Sequence, residues 1–126
     1  MASTDLLDLP TLRNLVDLDD GSTSLVAEMT ALFREDSPRR IQEIRTALQA
    51  GAREAASRTA HALKGGSGAI GAKALRAQAA ELEALAQDPA ATVPEAALAR
   101  LETTFQTTLQ ALEDYIRTGG SQPGQG

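Results

Sequence analysis

Apolar residues recur at steps of three and four along almost the whole chain. Between Ser22 and Ala50 they are Leu25, Met29, Leu32, Phe33, Ile41, Ile44 and Leu48, and further on Leu98, Leu101, Phe105, Leu109, Leu112 and Ile116. That spacing puts apolar side chains on one face of a helix, which can then be buried against others. Composition agrees: 24 alanines and 17 leucines stand against seven valines and isoleucines together. Alanine and leucine favour helix, whereas β-branched residues lose rotamer freedom there. The sequence therefore predicts an all-α fold with no strands.

Breakers divide the chain. A short helix is expected from about Pro10 to Val16, with Asp8 near its start, followed by a loop over Asp17–Ser22. The long segment from Ser22 to Ala50 contains Pro38, which removes a helical hydrogen bond and crowds the carbonyl four residues back. The apolar stripe stays roughly in phase across it, so one long helix bent at Pro38 is expected; two helices meeting at Ser37–Pro38 is the close alternative. After Gly51 a helix is expected over Ala52–Ile70, with Gly71 as the turn and another helix over Ala72–Gln87. Asp88–Pro89 stops that one. Thr92-Val93-Pro94-Glu95 reads as a capping box with an early proline, starting the last helix. The expected architecture is an antiparallel four-helix bundle with a short N-terminal capping helix, over residues 5–118. The Gly-, Ser- and Gln-rich residues 119–126 have nothing to bury and read as a disordered tail or the start of a linker.

The 126 residues suit one domain with a modest core. The chain has no cysteine and one histidine, which removes disulfide scaffolds and thiolate metal sites and makes a structural zinc site implausible; no metal is expected. No apolar run approaches the roughly 18 residues of a membrane span. Met1-Ala2-Ser3-Thr4-Asp5 lacks the basic flank and apolar stretch of a secretory signal. A cytoplasmic protein with no membrane partner is expected. The net charge of −5 disfavours nucleic acid as a partner.

The chemistry concentrates in Thr59-Ala60-His61-Ala62-Leu63-Lys64-Gly65-Gly66-Ser67-Gly68-Ala69-Ile70-Gly71-Ala72. On a helical wheel Ala56, Ala60, Leu63, Ser67 and Ile70 form the core face. His61 lies roughly 140° away, on the solvent side. Beside it fall Glu54, Ser57, Arg58, Lys64, Gly65 and Gly68. Taken singly these residues are bland: surface histidines are commonly inert, and paired glycines often end helices. Together they are harder to dismiss. Glycine in a helix costs about 1 kcal/mol relative to alanine, and this chain otherwise favours alanine. Gly65 and Gly68 clear side-chain bulk beside the ring, so a macromolecule could approach it. Lys64 and Arg58 supply positive charge there, with Arg53 a weak contributor at the flank. An imidazole, with an ordinary pKa of about 6.5, keeps a nucleophilic neutral form near pH 7. A phosphoryl group is the natural anion for an exposed histidine with a lysine beside it.

His61 stands ten residues before the Gly71 turn and Glu83 twelve after it, so the two lie at similar heights on antiparallel helices. Glu83 either accepts a hydrogen bond from the ring, fixing its tautomer, or is one more solvated charge. Spacing leaves both open.

The stretch His61-Ala62-Leu63-Lys64-Gly65-Gly66-Ser67-Gly68-Ala69-Ile70-Gly71-Ala72, followed by Leu75 and Leu82-Glu83, resembles the histidine-containing phosphotransfer (HPt) domain family. The resemblance implies phosphorylation of His61, contact of Lys64 with the phosphoryl group, and partner access at Gly65. It places Glu83 where relatives bond the imidazole. It also implies a phosphorelay role, exchanging phosphate with an aspartate of a response-regulator receiver domain. The partners would be receiver domains and a sensor or hybrid histidine kinase. Any Mg²⁺ would sit on the receiver, and the chain itself would be a monomeric carrier without cofactor or ATP site. The Gly-Gly-Ser-Gly run also resembles the phosphotransfer domain of chemotaxis-type histidine kinases. A non-catalytic helical adaptor is the remaining alternative.

Overall fold

The computed structural model describes residues 3–120. Six helices follow in order: α1 (Ser3–Leu6), α2 (Leu9–Leu18), α3 (Ser24–Gln49), α4 (Arg53–Ala69), α5 (Lys73–Gln87) and α6 (Glu95–Arg117). The last four form the expected bundle. α3 packs on α4 and α6, α5 on α4 and α6, and the α4–α5 contact is the most extensive. Its cause is the small size of the facing residues. Ala56, Ala60 and Ser67 on α4 and Ala79 and Ala86 on α5 are buried, so the helices approach closely with only Leu63, Leu75 and Leu82 to interleave. Elsewhere the core is larger, and Phe33 meets Phe105 at a centroid distance of 5.1 Å.

Glycines make the sharp ends. Gly51 and Gly71 have φ of +74° and +72°, a left-handed conformation that costs other residues about 1–2 kcal/mol. Beyond each, the next amide donates back to a carbonyl inside the helix, Ala52 to Ala47 at 2.8 Å and Ala72 to Ser67 at 2.8 Å. Gly71 is also crowded, because a Cβ there would lie 3.0 Å from the Asp8 carbonyl oxygen. The Asp8 amide in turn donates to the Gly71 carbonyl at 2.7 Å, tying the N-terminal segment to the α4–α5 turn. Leu6, Leu7 and Leu12 are buried there.

Several expectations change. The N-terminal cap is α2 plus the additional one-turn α1. α3 runs unbroken through Pro38, so the two-helix alternative falls. Pro38 is exposed, as is Arg34, whose carbonyl loses its partner to the proline and can turn to water. Leu32 is not a core residue but 61% exposed. The buried stripe of α3 is instead Val26, Thr30, Phe33, Ser37, Ile41 and Ile44. Thr30 can hold a core position because its hydroxyl donates to the Val26 carbonyl at 2.7 Å. No capping box forms at Thr92: α6 begins at Glu95, directly after an extended Pro94, with no side-chain cap bond. Proline biases Val93 away from helix, and the Glu95 carboxylate reaches across to Arg45 at 3.0 Å. Gly119 and Gly120, expected to open the tail, close α6 instead: their amides donate to Ile116 and Tyr115 carbonyls. The rest of the expected tail, 121–126, lies outside the described residues. Among the described residues no helix is long and apolar enough to cross a membrane.

Candidate functional site

His61 sits in the middle of α4 on its solvent face, with 68% of its side chain accessible. Its Nδ1 lies 2.9 Å from Oε2 of Glu83 on α5, the bonded arrangement that spacing had left open. The other carboxylate oxygen accepts from Lys64 Nζ at 2.7 Å. Glu83 is therefore the hub of the site, with only 14% of its side chain accessible. The Lys64 bond is the main cause that holds its carboxyl below the ordinary 4.5; the His61 bond adds to this, and partial desolvation works against it. An ionised carboxylate only accepts hydrogen bonds. Nδ1 must then carry the proton in this pair, so in the neutral form of the ring it is Nε2 that holds the lone pair.

This geometry descends from the packing of α4 on α5. Alanines in the interface bring the helices close, and the tight Gly71 turn keeps the two residues level. The same interface carries Gln87 Nε2 donating to Ser57 Oγ at 3.1 Å, one turn beyond Glu83.

The three glycines after Lys64 are not equivalent. A Cβ on Gly65 would meet nothing within 4 Å, so the space beside His61 is open. On Gly68 it would lie 3.0 Å from Cδ and 3.1 Å from Nε of Arg76, a residue of α5. Gly68 is therefore not an open access point as expected; the Arg76 side chain covers it. On Gly66 a Cβ would lie 2.9 Å from Nη1 of Arg40, which reaches over from α3. Neither arginine was singled out from sequence. The only local sign was surplus glycine in an alanine-rich helix, which says that something fills the space but not which helix supplies it.

Lys64 is also less free than expected. It is 27% accessible and already paired. Arg58 is exposed, as expected, on the turn before His61. Arg53 is not part of the basic surface. Its guanidinium donates to the carbonyls of Leu85, Ala86, Asp88 and Ala91 at 2.7–3.2 Å, capping the C-terminus of α5. A positive charge is favoured at that end of the helix dipole. On the α3 side, exposed Leu32 borders a shallow groove with Met29, Arg40, Gly66 and Ala69. An open strip of small residues, Ala62, Gly65 and Ala69, thus runs between His61 and this apolar edge.

Comparison with known proteins gives consistent results. The Hpt domain family model matches residues 28–122. The crystal structure of histidine-containing phosphotransfer protein B (HptB) from Pseudomonas aeruginosa PAO1 superposes with a TM-score of 0.78 and 28% identity, covering 89% of this chain and 95% of that one. A putative histidine-containing phosphotransfer protein from rice superposes with a TM-score of 0.65 and 28% identity, covering 86% and 83% respectively. No curated protein is matched at the level of sequence. With the helical bundle and the His61 motif, the match over residues 28–122 places the chain in the Hpt domain family, the histidine phosphotransfer proteins of phosphorelays.

Proposed function

We propose that His61 is the residue that carries the phosphoryl group, exchanging it with an aspartate of a receiver domain. The observation that carries this reading is the exposed imidazole whose inner nitrogen is bonded to Glu83, leaving Nε2 free. In the forward step the Nε2 lone pair attacks the phosphorus of the receiver's aspartyl phosphate. An N–P bond forms, the P–O bond to the aspartate breaks, and the aspartate leaves as a carboxylate. The Nδ1 proton stays, so the ring becomes cationic, and the Glu83 carboxylate 2.9 Å away offsets that charge. Return of the group to another receiver is the reverse. Lys64 turns from Glu83 to the new phosphoryl oxygens, a short swing for an ammonium one turn along. Gly65 leaves room for the receiver's loops. Arg58 lends positive charge on one side, and Leu32 an apolar contact on the other. The receiver supplies the Mg²⁺, and the chain acts as a monomeric, cytoplasmic carrier without an ATP site of its own.

The test is His61→Gln. Exposed His61 contributes little to the core, so the variant is expected to melt like the wild type. It should take no label from phosphoramidate or from a phosphorylated receiver. Acid-labile, base-stable label persisting on the variant refutes the assignment, because the chain has no second histidine.

A further inference from the structure

An arginine side chain lies against each of Gly66 and Gly68, so partner access alone does not account for these two glycines. Each costs helix stability relative to alanine. What each provides is a seat: Arg40 Nη1 lies over Gly66, and Arg76 Cδ and Nε lie over Gly68. The two arginines come from the helices on opposite flanks of α4, so they stand on either side of the open strip beside His61.

Their charges are uncommitted. Arg34, Arg39, Arg45 and Arg117 all pair with carboxylates. Among the described residues Arg40 and Arg76 form no ion pair. Arg40 makes only a long 3.4 Å contact to the Ala62 carbonyl, and nearby Asp36 is taken by Arg39. Arg76 is exposed. Lys64 meanwhile is held by Glu83. Besides exposed Arg58 on the turn before His61, the available cations of this face are thus the two at its rim, in a chain whose net charge is −5. Arg76 lies seven residues before Glu83 on the same α5 face, which is about 10 Å along the helix. That is too far to touch a phosphoryl group on His61 but suits the rim of an interface. A pocket that binds a hard divalent cation takes oxygen ligands, carboxylates above all, and acidic side chains around it would complement these arginines.

We infer that Arg40 and Arg76 are docking residues that pair with acidic side chains around the receiver's phosphorylation pocket, and that Gly66 and Gly68 exist to seat them. This rests on the reading of His61 as the carrier residue.

The experiment compares Arg76→Ala, Gly68→Ala and the double variant in the full chain, with Arg100→Ala as control. Arg100 is exposed on α6 beside α5, away from α4. The donor is the receiver domain that transfers fastest to the wild type, charged with acetyl phosphate and Mg²⁺; phosphoramidate serves as a donor that needs no docking. Arg76→Ala is expected to raise KM for the receiver roughly fivefold at low salt, the upper range for one exposed pair. kcat and phosphoramidate labelling should stay unchanged, and the KM effect should fade at high salt. Gly68→Ala should shift the arginine by a few tenths of an ångström, raise KM by less than Arg76→Ala does, and add nothing to Arg76→Ala. Arg40→Ala and Gly66→Ala should behave the same way. Unchanged KM, additive effects, or an equal shift from Arg100→Ala overturns the inference. So does loss of phosphoramidate labelling, which would mean that the arginines support His61 itself. A wild type that takes label from neither donor refutes the carrier reading instead, and this inference with it.

Discussion

Replacing Glu83 with alanine removes two bonds at once, 2.9 Å to His61 Nδ1 and 2.7 Å to Lys64 Nζ. The two losses act in opposite directions on phosphorylation of His61. As Nε2 gains phosphorus the ring becomes cationic, and the bond to Glu83 becomes a charge-assisted one. Such bonds contribute about 1.5–3 kcal/mol, so losing one slows the step roughly 10- to 150-fold. Freed Lys64 can meet the incoming phosphoryl group earlier, but an exposed pair of that kind contributes at most about 1 kcal/mol, roughly fivefold. The first effect wins. Glu83→Ala is expected to be slower by roughly 2- to 30-fold. Glu83→Gln keeps an amide oxygen for Nδ1–H but loses the charge, and a neutral bond recovers about 0.5–1.5 kcal/mol of the loss. It should fall between wild type and alanine. Lys64→Ala/Glu83→Ala removes the compensating lysine and should be the slowest of the set. The assay is the initial rate of phosphoramidate labelling, read by intact mass, with thermal unfolding run alongside. Wild-type rates in Glu83→Ala, or equal rates for the alanine and glutamine variants, would refute the orienting role.

The remaining expectations follow from the same geometry. Glu83 has its carboxyl held below 4.5 in the folded protein, mainly by Lys64. Its stabilising contribution is therefore complete above about pH 4.5 and lost as pH falls through the depressed value; urea unfolding of wild type and Glu83→Gln should converge in that acid range. Gly65→Gln should gain about 0.5–1 kcal/mol of helix stability, keep phosphoramidate labelling and slow transfer from a receiver; unchanged receiver kinetics would remove the steric argument. Gly71→Ala combines a left-handed φ with a Cβ 3.0 Å from the Asp8 carbonyl, and should lose about 2–3 kcal/mol in urea unfolding. Arg53→Ala leaves the carbonyls at the end of α5 without their guanidinium. A melting point lower by roughly 5–10 °C is expected from a loss of about 2 kcal/mol, and no change would make the cap irrelevant to stability.

How much of this was legible in the chain depends on whether the cause is local. The starts and ends of α4 and α5 came within a residue or so, because Gly51, Gly71 and Asp88–Pro89 act on the backbone where they stand. The core face of α4 was legible for the same reason: a 100° step per residue is a property of one helix. Leu32 belongs to the apolar stripe by residue type yet is exposed, while polar Thr30 is buried. The bundle places whichever residue has the right azimuth inside, and a threonine that bonds its own helix is acceptable there. Thr92 failed as a cap because the matching glutamate had a better partner on α3, an arginine 50 residues away in sequence.

The site divides along the same line. His61, Lys64, Gly65 and the family motif are contiguous, and sequence alone determined them, together with the all-α class and the solvent-facing imidazole. Glu83 could be placed at the right height from the turn, but not bonded. Only the tertiary structure decided that it holds both His61 and Lys64, that Arg53 caps a helix end, and that Arg40 and Arg76 lie against Gly66 and Gly68. The physical reason is that periodicity specifies which way a side chain leaves its own helix. What it meets depends on how closely and at what angle two helices pack, and that is set jointly by small residues spread over both of them.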